Sequence, residues 1–170
     1  MTDDSTGPAA QPSAESLEDP AAADPRAEIK SRAVKLLTTR EHSRLELSRK
    51  LVARGYPGDD IEAVLDELAA CELLSEERLV EAYVAERLAK GFGPVRIRFE
   101  LKEKGLSDGQ VDPHLALGDE RCLELLGTAH DRRFGADARH DPATLAKRAR
   151  FLEYRGFPAR LIARFLDRGL

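Results

Sequence analysis

Lys50-Leu51-Val52-Ala53-Arg54-Gly55, with Ile61 and Leu65 beyond it, decides the fold because its pattern occurs twice more. Glu100-Leu101-Lys102-Glu103-Lys104-Gly105 is followed by Val111 and Leu115, and Phe151-Leu152-Glu153-Tyr154-Arg155-Gly156 by Ile162 and Leu166. Each copy has a Leu four before the glycine, a basic residue one before it, and apolar residues six and ten after it. The glycines lie 50 and 51 residues apart. A period of this length marks helical units that stack to complete one another's cores. The expectation is an all-α chain of three tandem three-helix repeats forming an elongated, curved array.

Helix start and stop signals divide the chain further. Asp24-Pro25 supplies a cap and a first-turn proline, for a helix to about Arg40. Ser43-Arg44-Leu45-Glu46 has the capping-box form, and Gly55 suits the left-handed end of its helix near Arg54. Further helices are expected over 59–70, from Ser75 to before Gly91, and from Pro94 to Gly105. Ser107 with Gln110 caps a sixth, which Pro113 should bend or shorten. The last three start at Asp119, Asp141-Pro142 and Ala159, and end near Phe134, before Gly156 and at Arg168. The units then span 25–74, 75–118 and 119–170, behind an acidic disordered leader over 1–24. The third unit carries about six extra residues around Gly135 to His140, and Arg148 stands where Leu47 and Ile97 stand.

Val95-Arg96-Ile97-Arg98-Phe99-Glu100-Leu101-Lys102 alternates as a strand would. Pro94, Gly105 and the equivalent helical segments favour a helix here. Such a helix places Ile97 and Leu101 on one side and Val95 and Phe99 nearly opposite. Packing against both neighbours in an array would use both sides.

The net charge of −4 is unevenly spread. Residues 1–28 hold seven acids against Arg26, leaving 24 acids and 26 bases in the rest. Residues 139–170 carry eight Lys/Arg against three Asp/Glu. No run of apolar residues is long enough to span a membrane, and the acidic start is unlike a secretion signal. Cys71 and Cys122 fall in apolar helical patterns and read as buried thiols of a reducing cytoplasm.

Four scattered histidines show no zinc-type spacing, and Gly91-Phe92-Gly93 lacks the residues of a phosphate loop. The chain is therefore read as non-catalytic, without metal or cofactor. Trp is absent, so base stacking on an aromatic platform is not expected. Phe92, Phe99, Phe134, Phe151, Phe157 and Phe165 are assigned to cores, and Tyr56 and Phe157 should pack back on the helices they follow.

Basic residues carry the functional signal. Arg54, Lys104 and Arg155 before the glycines suit the negative ends of helices. The crowding of Arg96, Arg98, Lys102 and Lys104, and of Lys147, Arg148, Arg150, Arg155, Arg160, Arg164 and Arg168, suits a phosphate backbone or an acidic protein surface. A solvated face is the alternative.

Three segments resemble one family in order. Glu41 to Leu51 looks like the first-repeat signature of the RecX regulatory proteins. Lys90-Gly91-Phe92-Gly93-Pro94 with Glu100-Leu101 and Lys104-Gly105-Leu106 is similar to their central signature, and Arg155-Gly156-Phe157 with Ile162 to their closing repeat. The resemblance covers about residues 28–170, with Leu79 where the family commonly has an aromatic. It implies a cytoplasmic, helical modulator of the RecA recombinase that binds in the groove of the RecA filament on DNA and limits growth, ATPase and strand exchange. Arg44, Arg96, Arg98, Lys102, Lys104, Arg150, Arg155 and Arg160 are the candidate contacts to filament protein or to single- or double-stranded DNA phosphate. A monomer is expected. Joint charge reversal of Arg96, Arg98 and Lys102 should weaken inhibition and leave stability nearly unchanged. The other readings are a helix-turn-helix module that binds DNA independently of RecA, and a pure protein-interaction scaffold.

Overall fold

The computed structural model describes residues 24–135 and 141–167. The leader up to residue 23, most of the extra segment of the third unit and Arg168 lie outside the described residues. Among the described residues there are nine helices and no strand: α1 (Pro25–Leu37), α2 (Arg44–Val52), α3 (Gly58–Ala70), α4 (Glu76–Ala89), α5 (Pro94–Glu103), α6 (Asp108–Leu115), α7 (Asp119–Phe134), α8 (Pro142–Arg155) and α9 (Ala159–Asp167).

Local chemistry sets the boundaries. Asp24 accepts from the Arg26 amide at 3.0 Å and Pro25 occupies the first turn of α1. Ser43 and Glu46 exchange bonds as a capping box: Glu46 N–H donates to Ser43 Oγ at 3.1 Å, and Ser43 N–H donates to Glu46 Oε2 at 3.2 Å. Ser75 Oγ accepts from the Arg78 amide at 3.2 Å, and Asp141 Oδ1 from the Thr144 amide at 3.0 Å. Pro113 leaves α6 at eight residues. The alternating stretch 95–102 is helical, inside α5.

Buried residues fall into separate clusters that follow chain order. Ile29, Leu47, Leu51, Ile61, Leu65 and Leu68 centre the cluster of α1–α3. Val80, Ile97, Leu101 and Val111 centre that of α4–α6, and Leu126, Leu152, Leu161 and Ile162 that of α7–α9. The recurring Leu of each pattern (Leu51, Leu101, Leu152) is fully buried. Burying such a side chain contributes about 1.5–3 kcal/mol. Arg148 takes the core position of Leu47 and Ile97 in the third cluster; it is buried, with its guanidinium 5.9 Å from the Phe134 ring centre.

Two apolar assignments are corrected. Cys71 is exposed because α3 ends at Ala70 and leaves it at the C-cap, whereas Cys122 is buried on α7 and burial pushes its thiol up. Phe99 is 62% and Val95 56% exposed, so the second apolar side of α5 is not packed against a neighbouring unit. Phe157 is buried, and Phe92, Phe151, Phe165 and Tyr56 pack against the clusters as expected.

Candidate polyanion and partner interface

The functional geometry starts where the helix clusters meet. The middle helices α2, α5 and α8 contact one another end to end. Gly93 N–H, at the start of α5, donates to Arg155 O at 2.8 Å, and Val95 N–H donates to Gly156 O at 3.1 Å. The C-terminal carbonyls of α8 thus satisfy orphan amides at the N-terminus of α5. At the other junction Ser43 Oγ, which caps α2, donates to Lys104 O at 2.6 Å. Close approach excludes side chains here. A Cβ on Gly93 would lie 2.3 Å from Gly156 O, and one on Gly105 2.7 Å from Leu45 Cδ2. Gly156 also has φ +86°, which favours glycine, and meets the Arg96 backbone.

The cation before each glycine therefore has three different roles. Arg54 donates to Lys50 O of its own helix at 2.9 Å, the helix-end chemistry expected. Lys104 reaches back across the first junction to Glu46 at 2.7 Å. Arg155 crosses the second junction and donates to Lys90 O at 3.1 Å.

Lys104 closes a partly buried network. Glu46 accepts from Arg40, Lys104 and the Ser43 amide. Burial alone would raise its carboxyl, but these donors outweigh that and hold it at about 2. His42 beside it is buried, with Nδ1 3.0 Å from Arg40 O and Nε2 3.0 Å from Lys50 Nζ. The ammonium can only donate, so Nε2 accepts and Nδ1 carries the proton of a neutral ring. Burial lowers its pKa accordingly.

At the second junction Phe92 lies between guanidiniums: Arg87 at 3.7 Å, Arg155 at 4.6 Å and Arg96 at 5.1 Å from the ring centre. Glu100 balances Arg87 and Arg96 and accepts from Tyr83 Oη at 3.0 Å. Burial, then that bond, pushes the Tyr83 phenol up to about 12.

The sequence-selected cations separate into two groups. Arg44 pairs with Glu62 and Asp66, Arg96 with Glu100, Arg98 with Asp112, Lys102 with Asp108, Lys104 with Glu46 and Arg160 with Asp119. Reversing Arg96, Arg98 and Lys102 would set like charges about 3 Å apart at each pair, so stability would not be spared. Arg150 is exposed, with no ion pair among the described residues, and Arg155 bonds a carbonyl, which leaves its charge uncancelled.

The fold adds two cations that sequence reasoning passed over. Arg132 and Arg133, in the last turn of α7, line a notch of about 100 Å³ with Lys90, Phe151 and Arg155. Arg132 donates to Ala89 O at 2.9 Å, again a neutral partner, and Arg133 is exposed. Their adjacency in a helix-ending turn was legible, but their meeting with Arg155 across the junction was not. A smaller surprise is Glu77, Glu81 and His114, whose ligand atoms lie within 4.8 Å of one another on α4 and α6. His114 Nε2 is 2.8 Å from Glu77 Oε1, an exposed polar pair that accounts for the histidine.

Comparison with known proteins decides the family. The model of the first three-helix domain of RecX matches residues 30–68, and that of the second matches 75–113. The regulatory protein RecX of Pseudomonas putida (strain W619) is 43% identical over 139 residues, covering 82% of this chain and 89% of that protein. This chain belongs to the RecX family. RecX of Pseudomonas syringae pv. tomato is 42% identical over 148 residues, covering 87% of this chain and 96% of that protein. The fold agrees with solved RecX structures. A crystal structure of regulatory protein RecX gives a TM-score of 0.73 at 23% identity, over 85% of this chain and 74% of that one. RecX from Lactobacillus salivarius gives 0.72 at 22%, over 85% and 96%. No helix among the described residues is long and apolar enough to cross a membrane.

Proposed function

We propose that this RecX-family chain is a non-catalytic regulator that binds in the groove of the RecA–DNA filament and limits filament growth, ATPase and strand exchange. It acts in the cytoplasm as a monomer. Residues 25–74, 75–118 and 119–170 serve as its three units, with the acidic leader 1–24 outside them. The observation that carries the reading is the notch between α4, α7 and α8, where Arg132, Arg133 and Arg155 converge without carboxylate partners among the described residues. A phosphate backbone is a fitting ligand for such a cluster.

Division of labour among the basic residues follows from their pairing. Arg150, Arg155, Arg132 and Arg133 contact phosphate. Arg96, Lys104 and Arg160 hold helices together across the fold, and Arg44, Arg98 and Lys102 stand at its rim, able to exchange an exposed acidic partner for a filament group. The end-to-end bonds among α2, α5 and α8 make a stiff connection between units. A stiff module spanning adjacent recombinase subunits opposes subunit addition and the motions coupled to ATP turnover.

The test is RecA ATPase on single-stranded DNA, titrated with this chain and with Arg133→Glu/Arg150→Glu. Inhibition by the native chain, weakened by the double variant with a shallower salt dependence, is expected. No inhibition at several-fold excess would refute the regulatory reading. Tight binding to bare DNA, unaffected by recombinase, would instead favour an independent helix-turn-helix module.

A further inference from the structure

α5 carries an apolar side that its own protein leaves uncovered. Phe99 is 62%, Val95 56% and Tyr154 68% exposed, and the three line one groove of about 500 Å³ between α5 and α8. Scattered exposed hydrophobics need no explanation, whereas three gathered in one concavity mark a contact surface. The groove is firmly built. Arg96 beneath it donates to Glu100 at 3.0 Å and to Tyr154 O at 3.0 Å, with its guanidinium 4.7 Å from the Tyr154 ring centre. That arginine shares Glu100 with Arg87, and along the groove lining it stands as one cation against the carboxylates of Glu100, Glu103 and Glu153. The charges left at the rim are those of Glu103 and Glu153, both exposed and in no ion pair among the described residues.

We propose that this groove receives a basic segment with an apolar anchor, presented by the recombinase filament; this rests on the regulatory reading above. Charge selects the occupant. Two uncancelled carboxylates beside an apolar floor repel nucleic-acid phosphate and equally repel the chain's own leader, whose first 28 residues hold seven acids. A segment with Lys or Arg placed for Glu103 and Glu153, and an aliphatic or aromatic side chain for Phe99 and Val95, satisfies both features. The groove and the cationic notch use different faces of one helix end: Glu153 and Tyr154 line the first, Phe151 and Arg155 the second. A chain seated across α8 thus meets phosphate with one flank and protein with the other.

The experiment compares the full chain with Phe99→Ala/Tyr154→Ala and with Glu103→Lys/Glu153→Lys. It reads fluorescence anisotropy on bare single-stranded DNA, inhibition of RecA ATPase on the same DNA, and sedimentation of the chain alone. Both variants should keep, or for the lysine pair improve, bare-DNA affinity, and lose at least about tenfold in inhibitory potency. All four side chains are exposed, so melting temperatures should stay close to native; the charge variant keeps the test sharp if the apolar one misfolds. Native-like inhibition by a folded variant overturns the groove assignment and leaves the regulatory reading standing. Absence of inhibition by the unaltered chain overturns both. A concentration-dependent dimer abolished by Phe99→Ala/Tyr154→Ala identifies a second copy as occupant and overturns the recombinase assignment.

Discussion

Replacing Gly93 by Ala tests whether the end-to-end junction holds the array together. Gly93 has φ −91°, so an alanine there carries no backbone strain. Its Cβ would nevertheless lie 2.3 Å from Gly156 O, 2.5 Å from Gly156 C and 2.7 Å from Phe157 N, all backbone atoms that cannot rotate away. Restoring van der Waals contact requires the helix ends to separate by about 1 Å, beyond hydrogen-bond range for the Gly93–Arg155 and Val95–Gly156 bonds. Two amides would lose their partners at about 1–3 kcal/mol each, a total of about 2–6 kcal/mol. For a chain of this size that corresponds to a fall in Tm of roughly 5–20 °C. Gly58→Ala is the control, since nothing lies within 4 Å of its Cβ and it begins α3. It should be neutral or stabilise by up to about 1 kcal/mol. Urea unfolding followed by far-ultraviolet circular dichroism measures both. A Gly93→Ala stability within about 0.5 kcal/mol of Gly58→Ala would refute the junction as described.

The Glu46 network should make stability acid-sensitive. Its folded pKa of about 2 lies below the ordinary 4.5, so its contribution is present above about pH 4.5 and lost as pH falls toward 2. That contribution is on the order of 1–3 kcal/mol after screening. Glu46→Gln should lose stability at pH 7 and flatten the urea-midpoint profile between pH 4.5 and 2; parallel profiles would contradict the assignment. His42 acts in the same direction at higher pH: its pKa is lowered from 6.5 by burial, so stability is present above 6.5 and lost as pH falls through the folded pKa. His42→Gln should remove this component from the titration. For the thiols, a chromogenic disulfide reagent should titrate exposed Cys71 rapidly in the folded protein and buried Cys122 only on unfolding. Equal reactivity of both in the folded state would count against the burial of α7.

Part of this fold is legible in short stretches of sequence. Ser43 and Glu46 reveal a capping box because both partners lie within one turn, and Leu51, Leu101 and Leu152 reveal a core position because the pattern recurs. The strand-like alternation of 95–102 yields to a helix, since Pro94 and Gly105 are local signals with known consequences. Phe99 was misplaced because helical periodicity says that two sides are apolar, not whether a neighbour covers the second. Cys71 was misplaced although the helix end at residue 70 was legible, because nothing local says whether the C-cap residue faces the core or the solvent.

Charge is where sequence and structure part most clearly. Counting Lys and Arg located basic stretches, but five of the eight candidate contacts are cancelled by acids from other helices, such as Asp112 for Arg98 and Asp119 for Arg160. The sequence by itself determined the helices, the repeat and the glycines, because caps, periodicity and left-handed backbone are properties of short stretches. Only the tertiary structure decided what the cations before those glycines do. Arg54 serves its own helix, Lys104 meets a carboxylate 58 positions away and Arg155 a carbonyl 65 positions away. The net charge left at a surface depends on such distant partners, and no local pattern encodes them.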